Sequence, residues 1–466
     1  MKKIGFISTT LLTILFFIVL LLRNSLIGSV ESYSLFPNNL DFFGLELTFF
    51  VDELSLLFVA GILGFSALAS AYSIIYLRVH DHPIGKDLYF ANLLFFASGM
   101  LGVVLAQNII IFLLFFEAMN IPAFFLAYFW GDVGGRQAAL KYIIYMSFGA
   151  ALLVGGITYI VGSTGQSSLP LLYEIIPNSS LGSNSLLATA LFIGFAVKLA
   201  ILPFHTWLPD FHGEAPTPIS ALLSAVMIKL GAYGWIRIVF PLFPDFIISN
   251  SQIFALLAIV TIAWGGYMAF SEPDFKRLLV FSSISQVGYI LFGLSTLTLI
   301  GVSGAVLHIF THATAKFLLL LVAGSLIYSI HKRKIVEMSG LASKLPVAST
   351  LMLIGALTIS GAPPFAVFQS EWRIFSGGMA NGFSFITLVA IILTAMTTGY
   401  YLYTIKKMIW GELKQELKEA TESHTLMILS MVIVASLALV LGFAPGLISD
   451  KTDIIASTLL ENMNLT

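Results

Sequence analysis

The chain has 466 residues, of which 58% are hydrophobic and only 10% are charged, and its mean hydropathy is +0.96. This composition lies well outside the usual range of soluble domains and predicts a protein that crosses a membrane many times. The formal net charge of -1 argues against a nucleic-acid partner. The absence of cysteine excludes disulfides, thiolate metal sites, cysteine-held iron–sulfur clusters and a cysteine nucleophile.

Apolar runs long enough to cross a bilayer recur along the whole chain. A transmembrane helix needs about 20 mostly apolar residues, and on this rule the sequence predicts thirteen spans. The first is interpreted as a retained helix and not a cleaved signal peptide, because its apolar run is long and has no small-residue cleavage pattern. The predicted spans are residues 4–22, 53–77, 88–107, 108–130, 138–162, 186–203, 217–240, 252–271, 276–299, 301–330, 347–376, 383–405 and 424–447.

Lysine and arginine gather in alternate loops between these spans, as the positive-inside rule expects of cytoplasmic loops. The inside loops include Lys276 and Arg277, whereas the outside segments hold only Arg23 and Lys451. We therefore expect a multi-pass protein of a prokaryotic cytoplasmic membrane, with its N-terminus inside and its C-terminus outside. The outside segments are residues 23–52, 163–185, 241–251 and 448–466.

Four spans carry an ionisable side chain well inside an apolar run, namely Glu117, Lys198, Lys229 and Glu371. A charge at the centre of a membrane helix costs about 2.5–3.5 kcal/mol on insertion scales, so such residues persist where they face partners or water. Taken singly, Glu117 or Lys198 is also compatible with an interhelical salt bridge that has no role in transport. Costly acids and bases on four helices exceed what packing requires and favour a path for ions.

The tenth span adds His308, His312 and Lys316, which recur at i, i+4 and i+8 and therefore share one helix face. Histidine titrates near neutrality, so such a row can pass protons through intervening water. Zinc binding and simple hydrogen bonding between helices are the alternatives, although a lysine occupies the next turn. Arg237 and Arg373 lie nearer to helix ends, where long side chains reach the membrane surface, and are interpreted as structural.

Prolines interrupt two spans that lie five spans apart, at Pro203 and at Pro363 with Pro364. Broken helices are tolerated where they line a cavity or are buried in protein. Because five is odd, a repeat of five spans would be inverted in the membrane, as in many transporters, although prolines are also common in membrane helices generally. His205 and His212 follow the first break and are candidates either for gating or for anchoring the loop.

The predicted units are N-terminal helices in 1–87, a first five-helix repeat in 88–240, a second in 252–405, and a cytoplasmic amphipathic segment with a C-terminal helix in 406–466.

A specific likeness to a known family lies in KLAILPFHTWLPDFHGEAPTPISALLSAVMIKLGAYGWIRI. This run resembles the antiporter-like subunits shared by respiratory complex I, Mrp cation/proton antiporters and membrane-bound energy-converting hydrogenases. The resemblance extends over about residues 50–410. Further matching stretches are FFEAMNIPAFFLAYF, PDFKRLLVFSSISQVGYI, HIFTHATAKFLLLLVAG and GAPPFAVFQSEW.

The resemblance implies an all-α membrane bundle of 13–14 transmembrane helices with two inverted five-helix repeats, each a half-channel with a proline-broken helix. It also implies a polar axis in the middle of the membrane, carried here by Glu117, Lys198, Lys229, His308, His312, Lys316 and Glu371. Many members carry lysine at the position of Glu371. Members usually have fourteen spans, whereas residues 23–52 look too polar for one, and the residues after the last span leave no room for the long lateral helix of the most distal complex I subunit.

The resulting hypothesis is a proton-translocating subunit of a redox-driven assembly, with other membrane subunits and peripheral iron–sulfur subunits as partners. Glu117 and Lys198 would act as a switch, in which the lysine holds its proton while the two attract each other and releases it when they separate. No flavin, nucleotide, cluster or metal is expected in this chain. One alternative is a subunit of an Mrp-type Na+/H+ antiporter. Another is a membrane anchor for a soluble partner in an inorganic-carbon uptake complex, for which residues 406–424 offer an amphipathic stretch, although a solvated helix there is the simpler expectation.

Overall fold

The computed structural model describes residues 2–34, 46–78 and 84–465, and most of them are helical. Two short strands, β1 (Val30–Ser34) and β2 (Glu46–Phe50), accompany the helices. The helices are α1 (Lys2–Leu26), α2 (Glu53–Tyr76), α3 (Lys86–Leu105), α4 (Ile109–Ala118), α5 (Asn120–Trp130), α6 (Gly135–Thr164), α7 (Leu169–Ile175), α8 (Ser185–Leu199), α9 (Trp207–Glu214), α10 (Thr217–Leu222), α11 (Lys229–Gly234), α12 (Phe240–Leu242), α13 (Pro244–Ser271), α14 (Phe275–Ser295), α15 (Leu299–Ile330), α16 (Pro346–Ile359), α17 (Ala366–Ala380), α18 (Ser384–Met408), α19 (Thr425–Phe443) and α20 (Gly446–Asn462).

Eleven helices in these described ranges are long and apolar enough to cross a membrane. They correspond to eleven of the thirteen predicted spans, which confirms the polytopic helical class. The other two predicted spans, 186–203 and 347–376, are the ones with prolines. Their apolar helices are shorter, Ser185–Leu199 and Pro346–Ile359, because the chain leaves the helical conformation before the prolines are reached.

The segment between α1 and α2 folds back on itself as a two-stranded antiparallel sheet that the sequence did not predict. Val30 pairs with Phe50 and Ser34 with Glu46. In the described part of residues 23–52 the chain is the end of α1 and these two strands, so no further span is seen there. Residues 35–45 of the segment that looks too polar for a fourteenth span lie outside the described residues.

The first break begins where α8 ends at Leu199. Ala200 adopts a left-handed conformation with φ 59°, and its backbone nitrogen donates to Val197 O at 3.2 Å. The indole nitrogen of Trp207, at the start of α9, donates to the same carbonyl at 3.0 Å. The break therefore frees a carbonyl beside Lys198, and a side chain from beyond the break satisfies it.

The second break, between α16 and α17, has the same plan with different residues. Gly361 takes the left-handed conformation with φ 64°, and the hydroxyl of Thr398 on α18 donates to Ser360 O at 3.2 Å. Both breaks contain a cis prolyl bond, Leu202–Pro203 and Pro363–Pro364. The order of elements thus repeats: three membrane helices, a broken one and a further one occur from α3 to α12 and again from α13 to α18.

The end of the chain differs from expectation in two places. Residues 406–424 are not a helix: α18 ends at Met408 and only a single 3₁₀ turn follows, Gln415–Leu417. The segment is instead tied down by Glu422, whose carboxylate accepts from the backbone nitrogen of Val347 at 2.7 Å and so caps α16. After the last predicted span, the helix α20 packs against α15 and α2.

Candidate functional site

Lys198 lies in the last turn of α8, directly before the first break, and its side chain is 1% exposed. Its ammonium donates to Oδ1 of Asn120. Weaker contacts follow at 3.5 Å to the hydroxyl of Tyr142 and 3.8 Å to the sulfur of Met146. The ring of Phe116 lies 5.4 Å from the same nitrogen. A buried ammonium has three protons to place, and this pocket offers only one strong acceptor.

Glu117 is half-buried near the end of α4, two residues before the kink at Met119. The amide nitrogen of Asn120 donates to its Oε2 at 3.0 Å, while the amide oxygen of Asn120 accepts from Lys198. In this conformation of the described residues, Asn120 therefore stands between the two side chains and links them through its amide. A cavity of about 10 Å³, lined by Glu117, Lys198 and Met146 among others, is close to the least that holds one water molecule.

Lys229 is fully buried at the centre of the molecule. It follows a π-helical turn, Leu223–Met227, and its ammonium donates to Ser224 O, a carbonyl of that turn. A π turn leaves carbonyls without their usual helical partner, and such turns are frequent at functional sites. The hydroxyl of Ser224 meets that of Ser283 on α14 at 3.0 Å, so this lysine lies where the two halves of the chain meet.

A glycine brings the Lys198 and Lys229 segments together. A Cβ on Gly231 would lie 2.7 Å from Phe195 O and 2.9 Å from the backbone nitrogen of Leu199. Only glycine permits this approach of α11 to α8. In the second half of the chain, Gly304 permits an equally close approach of α15 to α17, because a Cβ there would lie 2.7 Å from the backbone nitrogen of Ile374.

His308 and His312 lie on α15 and their rings are nearly parallel, with centroids 5.8 Å apart. Both are fully buried. Nδ1 of His308 is 2.9 Å from the hydroxyl of Ser370, the residue that precedes Glu371. His308 and His312 therefore lie on one helix face, as predicted, and His308 contacts α17, the helix that carries Glu371.

Lys316, at the other end of this row, is fully buried and hydrogen-bonded by α14 and α18. Its ammonium donates to Leu279 O at 2.6 Å, to the hydroxyl of Ser282 at 2.7 Å and to the hydroxyl of Tyr401 at 3.0 Å. All three of its protons thus have acceptors. The charge of Lys229 acts on His308, His312 and Lys316, which makes these four side chains one electrostatic unit, called here the central row.

Glu371 lies in the second turn of α17, after the second break, and is 3% exposed. A Cβ on Gly361 would lie 2.3 Å from its Oε2, so the backbone of the break passes directly over the carboxyl group. The amide of Gln286 approaches it without a hydrogen bond of its own. The charge of Glu371 also acts on the hydroxyl groups of Tyr289 and Tyr400.

Buried polar atoms without a hydrogen-bond partner among the described residues concentrate between the central row and Glu371. Native proteins leave few such atoms unsatisfied, and ordered water usually completes them. With Gln286 beside Glu371 and Thr397 beside Tyr400, these atoms give the region a polar lining that water can complete. The atoms are Nε2 of His308, both ring nitrogens of His312, both amide atoms of Gln286, Oγ1 of Thr397, the hydroxyl of Tyr400 and Oε1 of Glu371.

The candidate gating residues lie at the breaks but have different surroundings. Pro203, Pro363 and Pro364 are within the non-helical turns. Nε2 of His205 accepts from the indole of Trp264 at 2.9 Å, which anchors the loop to α13. His212, in α9, is fully buried, and neither ring nitrogen has a partner in the described part of the chain.

The two arginines interpreted as structural form ion pairs toward the ends of the helices. Arg237 binds Asp52, the N-cap of α2, and Arg373 binds Asp453 of α20. Burial raises the pKa of the Asp52 carboxyl, but the charge of Arg237 and their hydrogen bond lower it more, so the net pKa lies below its usual value.

Several residues of the site are neutral, and sequence reasoning missed them. Asn120 bridges two charges, Tyr142 donates to Asn120 at 2.6 Å, and Ser370 connects His308 to the Glu371 helix. The only signal was an amide three residues after Glu117 in an apolar helix. Lys276 was assigned to a loop but is 1% exposed at the start of α14.

Comparison with known proteins agrees with this geometry. The family described as NADH:quinone oxidoreductase/Mrp antiporter, TM, matches residues 106–397. NADH-quinone oxidoreductase subunit M of Rickettsia prowazekii (strain Madrid E) is 31% identical over 464 residues, which cover 98% of this chain and 90% of that protein. Na(+)/H(+) antiporter subunit A1 of Staphylococcus aureus (strain JH9) is 32% identical over 481 aligned residues, 96% of this chain and 58% of that protein.

A solved structure has the same fold. In the membrane-bound sulfane sulfur reductase, an archaeal respiratory membrane complex, one chain superposes with a TM-score of 0.88 and 26% identity. The match covers 96% of the present chain and 73% of that one.

Proposed function

The chain belongs to the NADH:quinone oxidoreductase/Mrp antiporter transmembrane family, and on that premise we propose that it carries protons across the membrane as one subunit of a redox-driven complex. The observation that carries the proposal is the central row. Lys229, His308, His312 and Lys316 are all fully buried, yet they act on one another electrostatically. Because isolated buried charges are costly, such a group is retained where it moves ions.

Lys198 and Glu117 form the switch at the first break. A carboxylate close to an ammonium stabilises its charge, so the lysine keeps its proton while Glu117 is near and gives it up when the two separate. The Asn120 bridge supports this role, because it holds the acid and the base together without a direct ion pair. Movement of the half-buried Glu117 would then change the charge balance at Lys198.

The proton continues from Lys198 to Lys229 across the close approach at Gly231, along the central row, and out beside Glu371. The unpartnered polar atoms between His312 and Glu371 support a water-filled last step. The breaks are kept out of the helical conformation by Pro203, Pro363 and Pro364. The gating residues are His205 and His212, in the segment that follows the first break.

The architecture proposed for this activity has two units, 88–240 and 252–405, related by inversion in the membrane, with helices in 1–87 and 406–466 completing the subunit. The repeated order of three helices, a broken helix and a further helix supports it. The bias of lysine and arginine supports an N-terminus in the cytoplasm of a prokaryote and a C-terminus outside.

The driving energy must come from partners, because the proposed path contains only proton-exchanging side chains. The similar archaeal chain is part of a respiratory membrane complex, and this supports an assembly with other membrane subunits. Peripheral iron–sulfur subunits of the same complex would supply the redox step. Moving one charge against 100 mV requires about 2.3 kcal/mol.

Replacement of Lys198 or Glu117 by alanine in the assembled complex tests the proposal. We expect proton uptake into liposomes that contain the purified complex to fall by about tenfold, which corresponds to about 1.4 kcal/mol on the barrier. Native gels would establish that the complex still assembles. Normal proton transport by both variants would contradict the roles given to these residues.

A second candidate function is that of a subunit in an Mrp-type Na+/H+ antiporter. The similarity to the staphylococcal antiporter subunit, 32% identity over 96% of this chain, favours it. Purification in mild detergent separates the two. Copurifying iron–sulfur proteins support the redox-driven complex, whereas small membrane subunits alone, with Na+-dependent proton movement in vesicles, support the antiporter.

A further inference from the structure

A second cluster of charges lies at the membrane end where α5, α13 and α15 finish and α14 begins. Arg333 binds Asp132 at 3.1 Å and Asp274 at 2.8 Å, and it also donates to Gly213 O at 3.0 Å. The carboxylate of Asp132 is 36% exposed, so this cluster reaches the protein surface. The proposed path through Lys198 does not use it.

Lys276 extends from this cluster into the protein interior. It is 1% exposed, lies 3.9 Å from Asp132, and donates to Ala215 O at 2.5 Å. Ala215 directly follows α9, three residues beyond His212. The ammonium of Lys276 is thereby held between a surface acid and the helix that carries a buried histidine.

His212 is the next group inward. Its ring is fully buried and has two unpartnered nitrogens within the described residues. The charges of Lys276, Lys229 and Lys316 all act on it. Its two free nitrogens therefore lie within electrostatic reach of Lys276 on one side and of Lys229 and Lys316 on the other.

The distance from Lys276 to the central row is short along α14. Lys316 donates to Leu279 O at 2.6 Å, and Leu279 lies three residues after Lys276. Three residues of an α-helix rise about 4.5 Å. The surface cluster and the central row are thus about one helical turn apart on α14.

We propose that Lys276 and His212 form a proton uptake path that connects the surface cluster with Lys229 and Lys316 without passing Lys198. In each cycle Lys276 gives a proton through water to the bare nitrogen of neutral His212, the other nitrogen gives its proton through water to a neutral lysine of the central row, and a flip of the imidazole ring restores the starting tautomer. Lys276 is then reprotonated from surface water held by Asp132. This inference rests on the proposed function and adds its point of uptake.

Three substitutions test the path in the purified complex, reconstituted in liposomes with a pH-sensitive dye inside. His212→Gln and Lys276→Met are expected to lower the initial rate of proton movement by about fivefold to tenfold. Lys276→Arg keeps the charge beside Asp132 but does not release its proton, so its rate should fall similarly while assembly is retained. Lys141→Met is the matched control, because the exposed pair of Lys141 with Asp210 at 2.7 Å contributes little.

A fourth variant separates transfer from a merely structural role. Histidine has an ordinary pKa of about 6.5 against about 10.4 for lysine, so Lys276→His should transport best near pH 6 and lose rate toward pH 8, where the wild type does not. The charged groups that face this position are Asp132, Glu214, Asp274 and Arg333, and His212 faces it from α9. A structural lysine would give the same pH profile before and after replacement.

A wild-type rate in Lys276→Arg and an unchanged pH profile in Lys276→His, together with a strong loss in Lys198→Ala, would overturn the uptake path and leave the proposed function intact. Wild-type rates in Lys198→Ala and Lys229→Met would overturn the proposed function itself. If Lys276→Met does not assemble, the arginine and histidine variants decide the question.

Discussion

The two broken helices have the same backbone plan but present opposite chemistry. At the first break, Lys198 donates a hydrogen bond to Asn120, and the indole of Trp207 donates to the carbonyl of Val197. At the second, Glu371 keeps an oxygen with no partner among the described residues. At the lysine an amide joins the base to an acid, whereas at the glutamate the free oxygen is available to water.

This difference indicates different tasks for the two breaks. A pocket closed by side chains changes its charge only when one of those side chains moves, which suits a switch. A region with many unsatisfied polar atoms needs water, which suits conduction. The central row connects the two, since Lys229 lies next to the first break across Gly231 and His308 reaches Ser370 at the second.

The largest effect is expected from Glu371→Gln. The amide keeps the size of the side chain but has no proton to exchange, so proton transport by the complex should fall by about tenfold or more. Glu371→Lys is the matched control, because it retains an ionisable group, and part of the transport should remain. Equal rates for the glutamine variant and the wild type would remove Glu371 from the path.

The left-handed residues of the breaks provide the next test. Gly361→Ala would place a methyl 2.3 Å from the Glu371 carboxyl and adds about 1–2 kcal/mol of backbone strain, so both the thermal midpoint in detergent and the transport rate should fall. Ala200→Gly removes that strain but adds about 0.4–1 kcal/mol of chain entropy, and should be nearly neutral. If Gly361→Ala and Ala200→Gly gave the same thermal midpoint and the same transport rate, the two breaks would not differ as described.

A smaller effect is expected at the bridge in the first break. Asn120→Leu removes both the acceptor of Lys198 and the donor to Glu117, so the switch loses its link and transport should fall by about threefold to tenfold. Asn92→Leu is the control, because Asn92 is exposed and only donates to Leu88 O at 2.8 Å. A transport rate in Asn120→Leu as high as in Asn92→Leu would argue for a direct Glu117–Lys198 contact during turnover.

The smallest effect concerns stability away from the breaks. The pKa of Asp52 is raised by burial but lowered more by Arg237. A carboxyl with a lowered folded-state pKa contributes stability above its unfolded pKa of about 3.9, and this is lost as the pH falls through the folded value. Asp52→Asn should therefore lower the free energy of unfolding by about 1 kcal/mol near pH 7 and reduce its acid dependence below about pH 4. Unfolding by heat in detergent, followed at several pH values, measures both. An unchanged thermal midpoint would mean that the pair contributes nothing.

The sequence was sufficient for most of the fold, for a clear physical reason. Apolar runs of span length have few alternatives to membrane helices, and the lysines and acids within them stand out because their burial is costly. Hydropathy gave no comparable signal for α20, which mixes Lys451 and Asp453 with apolar residues, or for the two strands before α2. Residues 406–424, where a solvated helix is expected, hold only the end of α18 and one 3₁₀ turn, and Glu422 caps α16 from this segment.

The composition of the site was predicted less completely than its charges. Asn120, Tyr142 and Ser370 are neutral, so their cost in a membrane helix is small, and their partners come from distant parts of the chain. The same limit applies to Lys276. In the sequence it looks like one more basic loop residue, and only the packing of α14 against α9 buries it.

Lys229 gives the most direct test of transport through the central row, because the proposed route from Lys198 enters the row at this residue. The measurement is the number of protons moved per turnover of the purified complex in sealed liposomes, with Lys229→Met compared with Lys141→Met. We expect the Lys229 variant to lose this subunit's share of the protons while the control keeps the wild-type number. An unchanged number in a fully assembled Lys229→Met complex would contradict the account.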